Sequence, residues 1–401
     1  MRTLPAAILL ALFPLMAMAD KPAALEFEVT NHLTFDRAPS LVHRAVSHTG
    51  KARLLGPDGK ELACHYDMAA KKLLFIDGFK AGETRKYRLL SEEPKVKPPK
   101  WVSKPIKDDL ELEVGKKKFK SAGGQVENGL LRARVMRNSE LRTELEVTSL
   151  SGGYKFRCNP LGSAVGCIDD PKYAPELEEL VKSGGGTHPQ LMNVYFGLPE
   201  KVEILEPNPF QRVLKATCVP FAVKSNKETP EIVSEASMSV TLTWGSPVIE
   251  VNCRRKVAKT YYNHNGVFLN EFYLPQFPVE IFTDGETAAK QVEERTIAGG
   301  ALDTKCKKFM LLRHPEGKVP CATLICVPDF ESSAIEGPRF SAFRDRMMTV
   351  ISQSWHQGWK PIEIKAQDYD DKLVLACHIG ASLTPAKTYG DWAAEIEKPL
   401  E

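Results

Sequence analysis

The chain has no P-loop, no GxGxxG after a strand, no GxSxG elbow, no HExxH and no CxxC pair. The usual sequence support for nucleotide binding, serine hydrolysis, zinc proteolysis or a zinc ribbon is therefore missing. It has no surplus of one charge either: 54 Lys+Arg stand against 51 Asp+Glu, a net of +3. That balance, with no recognition motif, argues against a nucleic-acid partner. Helical periodicity is scarce, no internal repeat is present, and no later segment is apolar for long enough to span a bilayer. With 43% hydrophobic residues among 401, the chain has ample material for a large core and room for more than one domain.

The first residues, MRTLPAAILLALFPLMAMAD, combine Arg2, an apolar run from Leu4 to Met16, and Ala17 and Ala19 before Asp20. These are the three regions of a secretory signal peptide over residues 1–19, with cleavage expected after Ala19 and a secreted or periplasmic product. The run contains Pro5 and Pro14 and is too short for a membrane anchor. In an exported chain, nine cysteines invite a disulfide reading, but an odd number cannot all pair within one molecule. Cys158 and Cys167 bracket the loop NPLGSAVG and are the local disulfide candidate. Cys253, Cys326 and Cys377 lie in apolar strand-like runs that suit buried thiols, and Cys321 and Cys326 would face opposite sides of one strand. No ligand spacing supports a metal, and no cofactor is expected.

The organisation reads as all-β: a small N-terminal β-sandwich over residues 20–91, a linker over 92–109, then a large antiparallel β-supersandwich over 110–401. In LEFEVT, Leu25, Phe27 and Val29 alternate with Glu26, Glu28 and Thr30, and GPDGKE is a hairpin turn. SEEPKVKPPKWVSKPIKDD sets Pro94, Pro98, Pro99 and Pro105 among lysines without periodicity, as a stiff linker or a strap across a surface. Farther on, Leu131, Ala133 and Val135 oppose Arg132, Arg134 and Met136. Likewise Met238, Val240, Leu242 and Trp244 oppose Ser237, Ser239, Thr241 and Thr243, and Ile249, Val251 and Cys253 oppose Glu250, Asn252, Arg254 and Lys256. Such strands bury one face and wet the other. FMLLRHPEGKVPCATLICVPDF and IEIKAQDYDDKLVLACHIG read as two further hairpins, and PELEELVKSGGG, ETAAKQVEERTI and TYGDWAAEIEK as a few short helices.

The succession GPDGKELACHYD, KAGETRKYRLL, a Pro-rich link, VENGLLRARV, an SLSGG turn and TLTWGSPVIEVNCRRKV resembles secreted bacterial carbohydrate-active proteins with a galactose-mutarotase-like supersandwich. It is similar to the C-terminal region of glycoside hydrolase family 38 and to exo-rhamnogalacturonan-lyase-like proteins, over most of residues 24–275. The chain does not accommodate the barrel of those hydrolases or the helical toroid of many lyases, so no catalytic residue is carried over. The resemblance implies a polysaccharide or oligosaccharide partner without naming a reaction.

The densest chemistry lies in RRKVAKTYYNHNG. A lyase acting on an acidic polysaccharide needs a Tyr or His base, an acid for the leaving oxygen and a cation or amide for the uronate carboxylate. Tyr262, His264 and Arg254 are the catalytic candidates, with Tyr261, Asn263 and Asn265 as substrate-binding neighbours. The same string also reads as a turn, NHNG, beside ordinary sheet tyrosines. In SQSWHQGWKP, Trp355 and Trp359 offer an aromatic platform for a sugar ring and His356 a hydrogen bond, although a sheet-edge core would use the same residues. The loop acids Asp169, Asp170, Asp329, Glu331, Asp370 and Asp371 give no carboxylate pair whose separation the sequence can define. Two functions stay open: a glycan-degrading enzyme, or a non-catalytic glycan-binding or structural exported protein.

Overall fold

The computed structural model describes residues 24–263, with breaks at 34–35, 115, 140, 153, 178, 181–190, 225–230 and 233, and beyond them the strands and turns between 270 and 377 named below. The signal segment, residues 1–19, and the helix expected at 388–398 lie outside the described residues. The chain begins with β1 (Leu25–Thr30), β2 (Arg37–Ala45), β3 (Arg53–Leu55), β4 (Glu61–Leu62), β5 (Cys64–Asp67), β6 (Lys72–Phe79) and β7 (Thr84–Leu90). These pair as two sheets, β1-β7-β3-β4 and β2-β6-β5. Their facing sides enclose Phe27, Val29, Val42, Leu54, Leu73, Phe75, Tyr87 and Leu89. The alternation of LEFEVT holds at Phe27 and Val29, while Leu25 at the strand's start stays exposed. Tyr87 shows how a polar atom enters this core. Its ring lies 4.9 Å from Phe75, and its hydroxyl donates to Asp77 Oδ2 at 2.7 Å, a carboxylate also held by Arg85 at 2.9 Å.

The Pro/Lys-rich segment differs from the reading of it as a linker through residue 109. Its second half is strand: β8 (Val102–Val114) pairs with β9 (Lys117–Glu127). Pro105 is tolerated because β8 is the edge of its sheet, where a missing N–H interrupts no ladder. The first half is a strap. The backbone N–H groups of Lys95 and Val96 donate to Glu61, and Trp101 sits edge-on to Trp244 at 5.3 Å while its indole N–H donates to Pro209 O at 2.8 Å. Leu41 and Leu74 of the small unit close over Phe210, so the two units share an apolar contact.

Next come β10 (Leu131–Arg137), β11 (Thr143–Ser149), β12 (Lys155–Asn159), β13 (Ser163–Cys167), β14 (Met192–Asn208), β15 (Gln211–Lys224), β16 (Glu231–Ile232), β17 (Ser234–Thr243) and β18 (Val248–Val257). The chain continues with β19 (Tyr261–Asn263), β20 (Asn270–Leu274), β21 (Val279–Thr283), β22 (Lys290–Val292), β23 (Leu302–Lys305), β24 (Phe309–His314) and β25 (Cys321–Cys326). Last are β26 (Arg339–Asp345), β27 (Met348–Gln353), β28 (Ile362–Ile364) and β29 (Asp368–Cys377). They form a nine-stranded sheet, β23-β26-β27-β20-β12-β11-β10-β9-β8, and an eleven-stranded one, β13-β14-β15-β17-β18-β29-β25-β24-β21-β22 with β16 on β15. All of the registered pairs are antiparallel, and the two sheets press Val126, Leu131, Val135, Leu145 and Phe156 of one against Leu214, Val240, Ile249, Val251 and Leu375 of the other. The protein is all-β, two sandwiches with almost no helix among the described residues. The sheets approach closely at Gly124, where a Cβ would stand 2.8 Å from Val202 Cγ1.

Two local expectations are corrected. The helix expected at 286–297 contains β22, drawn into the sheet by pairing with β21 (Val279↔Val292). Of the helix expected at 175–186, the described residues show helix at 177, 179 and 180, entered from a 3₁₀ turn at Pro171–Glu176 that Asp170 N-caps, and 181–186 lie outside the described residues. IEIKAQDYDDKLVLACHIG is no hairpin: β28 pairs with β19, whereas β29 runs between β18 and β25. FMLLRHPEGKVPCATLICVPDF does form one, β24 with β25.

The Cys158–Cys167 disulfide is also overturned. Cys158 is on β12 of the nine-stranded sheet and Cys167 on β13 of the other, and both are buried free thiols, as are Cys64, Cys218, Cys253 and Cys377. Burial pushes Cys64 up to about 11 and Cys218 and Cys377 up to about 12, so thiolate is scarce at neutral pH. Iodoacetamide at mildly alkaline pH is expected to leave all six unmodified in the folded protein and to alkylate them in urea. Peptide mass spectrometry reads each site, and rapid labelling of any of them before unfolding contradicts this placement.

Candidate functional site

On β18, alternation sends Ile249, Val251, Cys253, Arg255 and Val257 inward and leaves Asn252, Arg254 and Lys256 exposed. The neighbouring strands continue these outer rungs. Thr217 of β15 lies beside Ser237 of β17, which lies beside Arg254; Glu235 lies beside Lys256, which lies beside Asp368 of β29. The β8–β9 hairpin overhangs this face and brings Lys117 and Phe119 to it. The result is a groove of about 670 Å³. Lys117, Arg254 and Lys256 supply its cations and Glu200, Glu235 and Asp368 its carboxylates, so the charges balance among the described residues. Arg254 Nη2 donates to Asp368 at 2.6 Å, and Asp370 stands 3.9 Å from its Nε. That hydrogen bond raises the Arg254 pKa. Thr217 and Ser237 add small hydroxyls between the charges, and Phe119 is the aromatic ring of the lining.

No protein-family model and no curated protein matches this sequence. Among solved structures, an α-mannosidase from Enterococcus faecalis V583 is similar over 94% of this chain and 45% of its own, with 10% identity and a TM-score of 0.51. The fold is similar to that of part of an α-mannosidase. This chain spans less than half of that protein's length. A galactose mutarotase-like protein from Lactobacillus casei ATCC 334 aligns over 63% of this chain and 98% of its own, with 9% identity and a TM-score of 0.34. At 10% identity the property shared with the α-mannosidase is the fold, and function must be argued from the site.

The residues expected from sequence divide between locations. Arg254 is in the groove. Tyr261 and Asn263 point the other way and are buried, Tyr261 within the main core, where burial pushes its phenol far above the usual range. The Tyr261 hydroxyl has no hydrogen-bond partner among the described residues. Tyr262 packs beside Ile168, Leu177 and Leu191, and its backbone exchanges hydrogen bonds of 2.8 and 2.9 Å with Ile168. It does not line the groove that Arg254 lines. His264, Asn265, Trp355, His356 and Trp359 lie outside the described residues. Their flanking strands, however, pair on both sides: Asn263 with Ile362 in the β19–β28 ladder, and Asn270 with Gln353 in the β20–β27 ladder.

Sequence reasoning missed Lys117, Phe119, Glu200, Thr217, Glu235, Ser237, Lys256 and Asp368 as one surface. The signal was partly present, since Ser237 and Arg254 fall on the wet faces of their strands. What was missing was the order of the strands and the hairpin that overhangs them.

Proposed function

We propose that this is an exported glycan-recognition protein that holds a hydroxyl-rich oligosaccharide in the groove across β15, β17, β18 and β29. The observation that carries this reading is the charge-balanced lining. Paired Arg/Asp and Lys/Glu groups present fixed donors and acceptors to vicinal hydroxyls, small Thr and Ser side chains leave room for a ring, and Phe119 offers an apolar surface. The carbohydrate setting is supported by the α-mannosidase of similar fold. Export rests on the leader-like residues 1–19. The balance of charge suits a neutral sugar better than a polyuronate.

The test is retention of residues 20–401 on immobilised neutral and acidic glycans, followed by titration of the best ligand. Arg254→Ala is expected to weaken binding by about tenfold or more, the equivalent of one good polar contact, with an unchanged melting curve. Binding untouched by Arg254→Ala and Ser237→Val removes the groove from the function.

A second reading, a lyase acting on an acidic polysaccharide, is favoured by the double pairing of strands around the segments that carry His264 and His356. It predicts ultraviolet absorbance from unsaturated uronate ends, lost in Tyr262→Phe or His264→Ala. Absence of that signal across acidic substrates retires the lyase reading and leaves the binding one.

A further inference from the structure

The groove is built unequally at its two ends. β13 pairs with β14 only between Met192 and Tyr195, so beyond Tyr195 β14 has β15 on one side and no strand on the other among the described residues. The β8–β9 hairpin wraps this edge. On the core side Gly124 of β9 approaches Val202 of β14 and Leu214 of β15. On the outer side Val114 and Phe119 of the same hairpin pack with Leu198, Val219 and Phe221. Phe119 and Val219 also line the groove, so the hairpin is seated on the groove floor and closes it at the β14–β15 end.

From that wall the floor runs across the strands. Thr217, Ser237, Arg254 and Asp370 stand in one rung, and Glu235, Lys256 and Asp368 in the next. Neighbouring strands lie ~4.8 Å apart and same-face rungs ~7 Å apart, so the backbone beneath the groove is ~19 Å long from β14 to β29 and two rungs wide. A long, narrow floor under about 670 Å³ suits several sugar rings in a row better than one. The lining changes along its length: Phe119 and Lys117 at the wall, the hydroxyls of Thr217 and Ser237 in the middle, and the Arg254–Asp368 pair, 2.6 Å apart, at the far end. There β25 joins β29 only between Val374 and Cys377, so among the described residues no strand continues the floor past Asp368.

Resting on the glycan reading above, we propose that the groove recognises the end of an oligosaccharide chain and not an internal stretch. The terminal sugar stacks on Phe119 against the hairpin, where the Lys117 ammonium donates to its hydroxyls. The following sugars lie across Ser237 and Arg254, and the chain leaves over Asp368. A ring's C–H face needs an apolar partner and its hydroxyls need donors and acceptors, and the lining supplies them in that order from the wall outward. An internal stretch of a polymer has no path, because its chain would have to continue through the hairpin packed on Val219. The direction of the chain and the order of its contacts go beyond the holding of an oligosaccharide in the groove.

The test titrates residues 20–401 by calorimetry with neutral gluco-, manno- and galacto-oligosaccharides of one to six sugars. Each is used free, with a bulky fluorophore on the reducing end, and with a bulky acetal on the non-reducing end. In the series that binds, each added sugar is expected to tighten binding by about two- to tenfold, the worth of one net hydrogen bond, until the floor is covered and no further. Blocking one chain end is expected to abolish binding, and blocking the other to leave it intact. Phe119→Ala should weaken every length by a similar factor, and so should Lys117→Ala, which removes an exposed side chain and leaves the packed cluster whole. Asp368→Ala should weaken only the longer oligomers. Equal binding of the two end-blocked forms, affinity independent of length, or binding indifferent to both Phe119→Ala and Lys117→Ala overturns the proposal and leaves the groove reading standing. The first two of these outcomes are read on the unmodified protein and do not depend on any variant folding. Binding of no glycan at all overturns the groove reading and this proposal with it.

Discussion

Arg255→Ala is expected to lower unfolding stability by ~3–5 kcal/mol, the sum of stranded polar groups and the cavity left behind. Alternation places this residue on the core face of β18 between Cys253 and Val257, and its side chain is completely buried. Its guanidinium reaches the turn after β12, where Nε donates to Leu161 O at 2.7 Å and Nη2 to Pro160 O at 2.8 Å. β12 belongs to one sheet and β18 to the other, so this fork ties the two sheets together. Removing it leaves two carbonyls dry and unpaired. Arg255→Lys is not expected to rescue, since an ammonium on a flexible stem does not reproduce the planar fork. Arg255→Met should recover part of the loss by filling volume without burying a charge. Urea unfolding followed by tryptophan fluorescence measures each midpoint, and an alanine variant with the parent's midpoint refutes the role given to this fork.

Asn128→Ala is the second large effect, also ~3–5 kcal/mol from four lost hydrogen bonds in a buried site. Asn128 is fully buried in the β9–β10 turn. Its Nδ2 donates to Thr243 O at 2.8 Å and Ser246 O at 2.7 Å, and its Oδ1 accepts from Leu130 N at 3.0 Å and Leu131 N at 2.7 Å. One amide therefore joins this turn to the β17–β18 turn of the opposite sheet. The next residue, Gly129, has φ +86° and lies against Trp244, whose Cζ2 would be 2.9 Å from an added Cβ, so Asn-Gly is required here by backbone and by space.

Asn128→Asp separates donor from acceptor. It keeps the accepted bonds but sets a carboxylate against two carbonyls, which raises the folded-state pKa above the unfolded value of about 3.9. The folded state then binds the extra proton more tightly, so the variant's deficit shrinks as pH falls through that raised pKa toward about 4 and is full above it. Urea midpoints across this range check the sign, and a deficit independent of pH is evidence against the donated bonds as its source.

Much of the site resisted sequence reading for a reason visible in single residues. In RRKV the alternation put Arg254 on the wet face, and the structure sets it in the groove while its neighbour Arg255 locks the core, because neighbours on a strand point in opposite directions. In the Pro/Lys segment, composition suggested a linker, and the ladder with β9 made half of it strand.

The sequence by itself determined several of the strands and their inward and outward residues, among them β1, β10, β17 and β18, together with the hairpin at GPDGKE and the scarcity of helix. All of these follow from a period of two and from turn chemistry, which act over a few neighbouring residues. Only the tertiary structure decided which strands are neighbours. It separated Cys158 from Cys167 by assigning them to different sheets, and set Arg254 beside Asp370 in the β18–β29 ladder across a long stretch of chain. It also carried the guanidinium of Arg255 from one sheet to the other. A solvated rung, a groove wall and an ion-paired site have the same alternation, and what distinguishes them is the partner across the sheet, which local pattern does not encode.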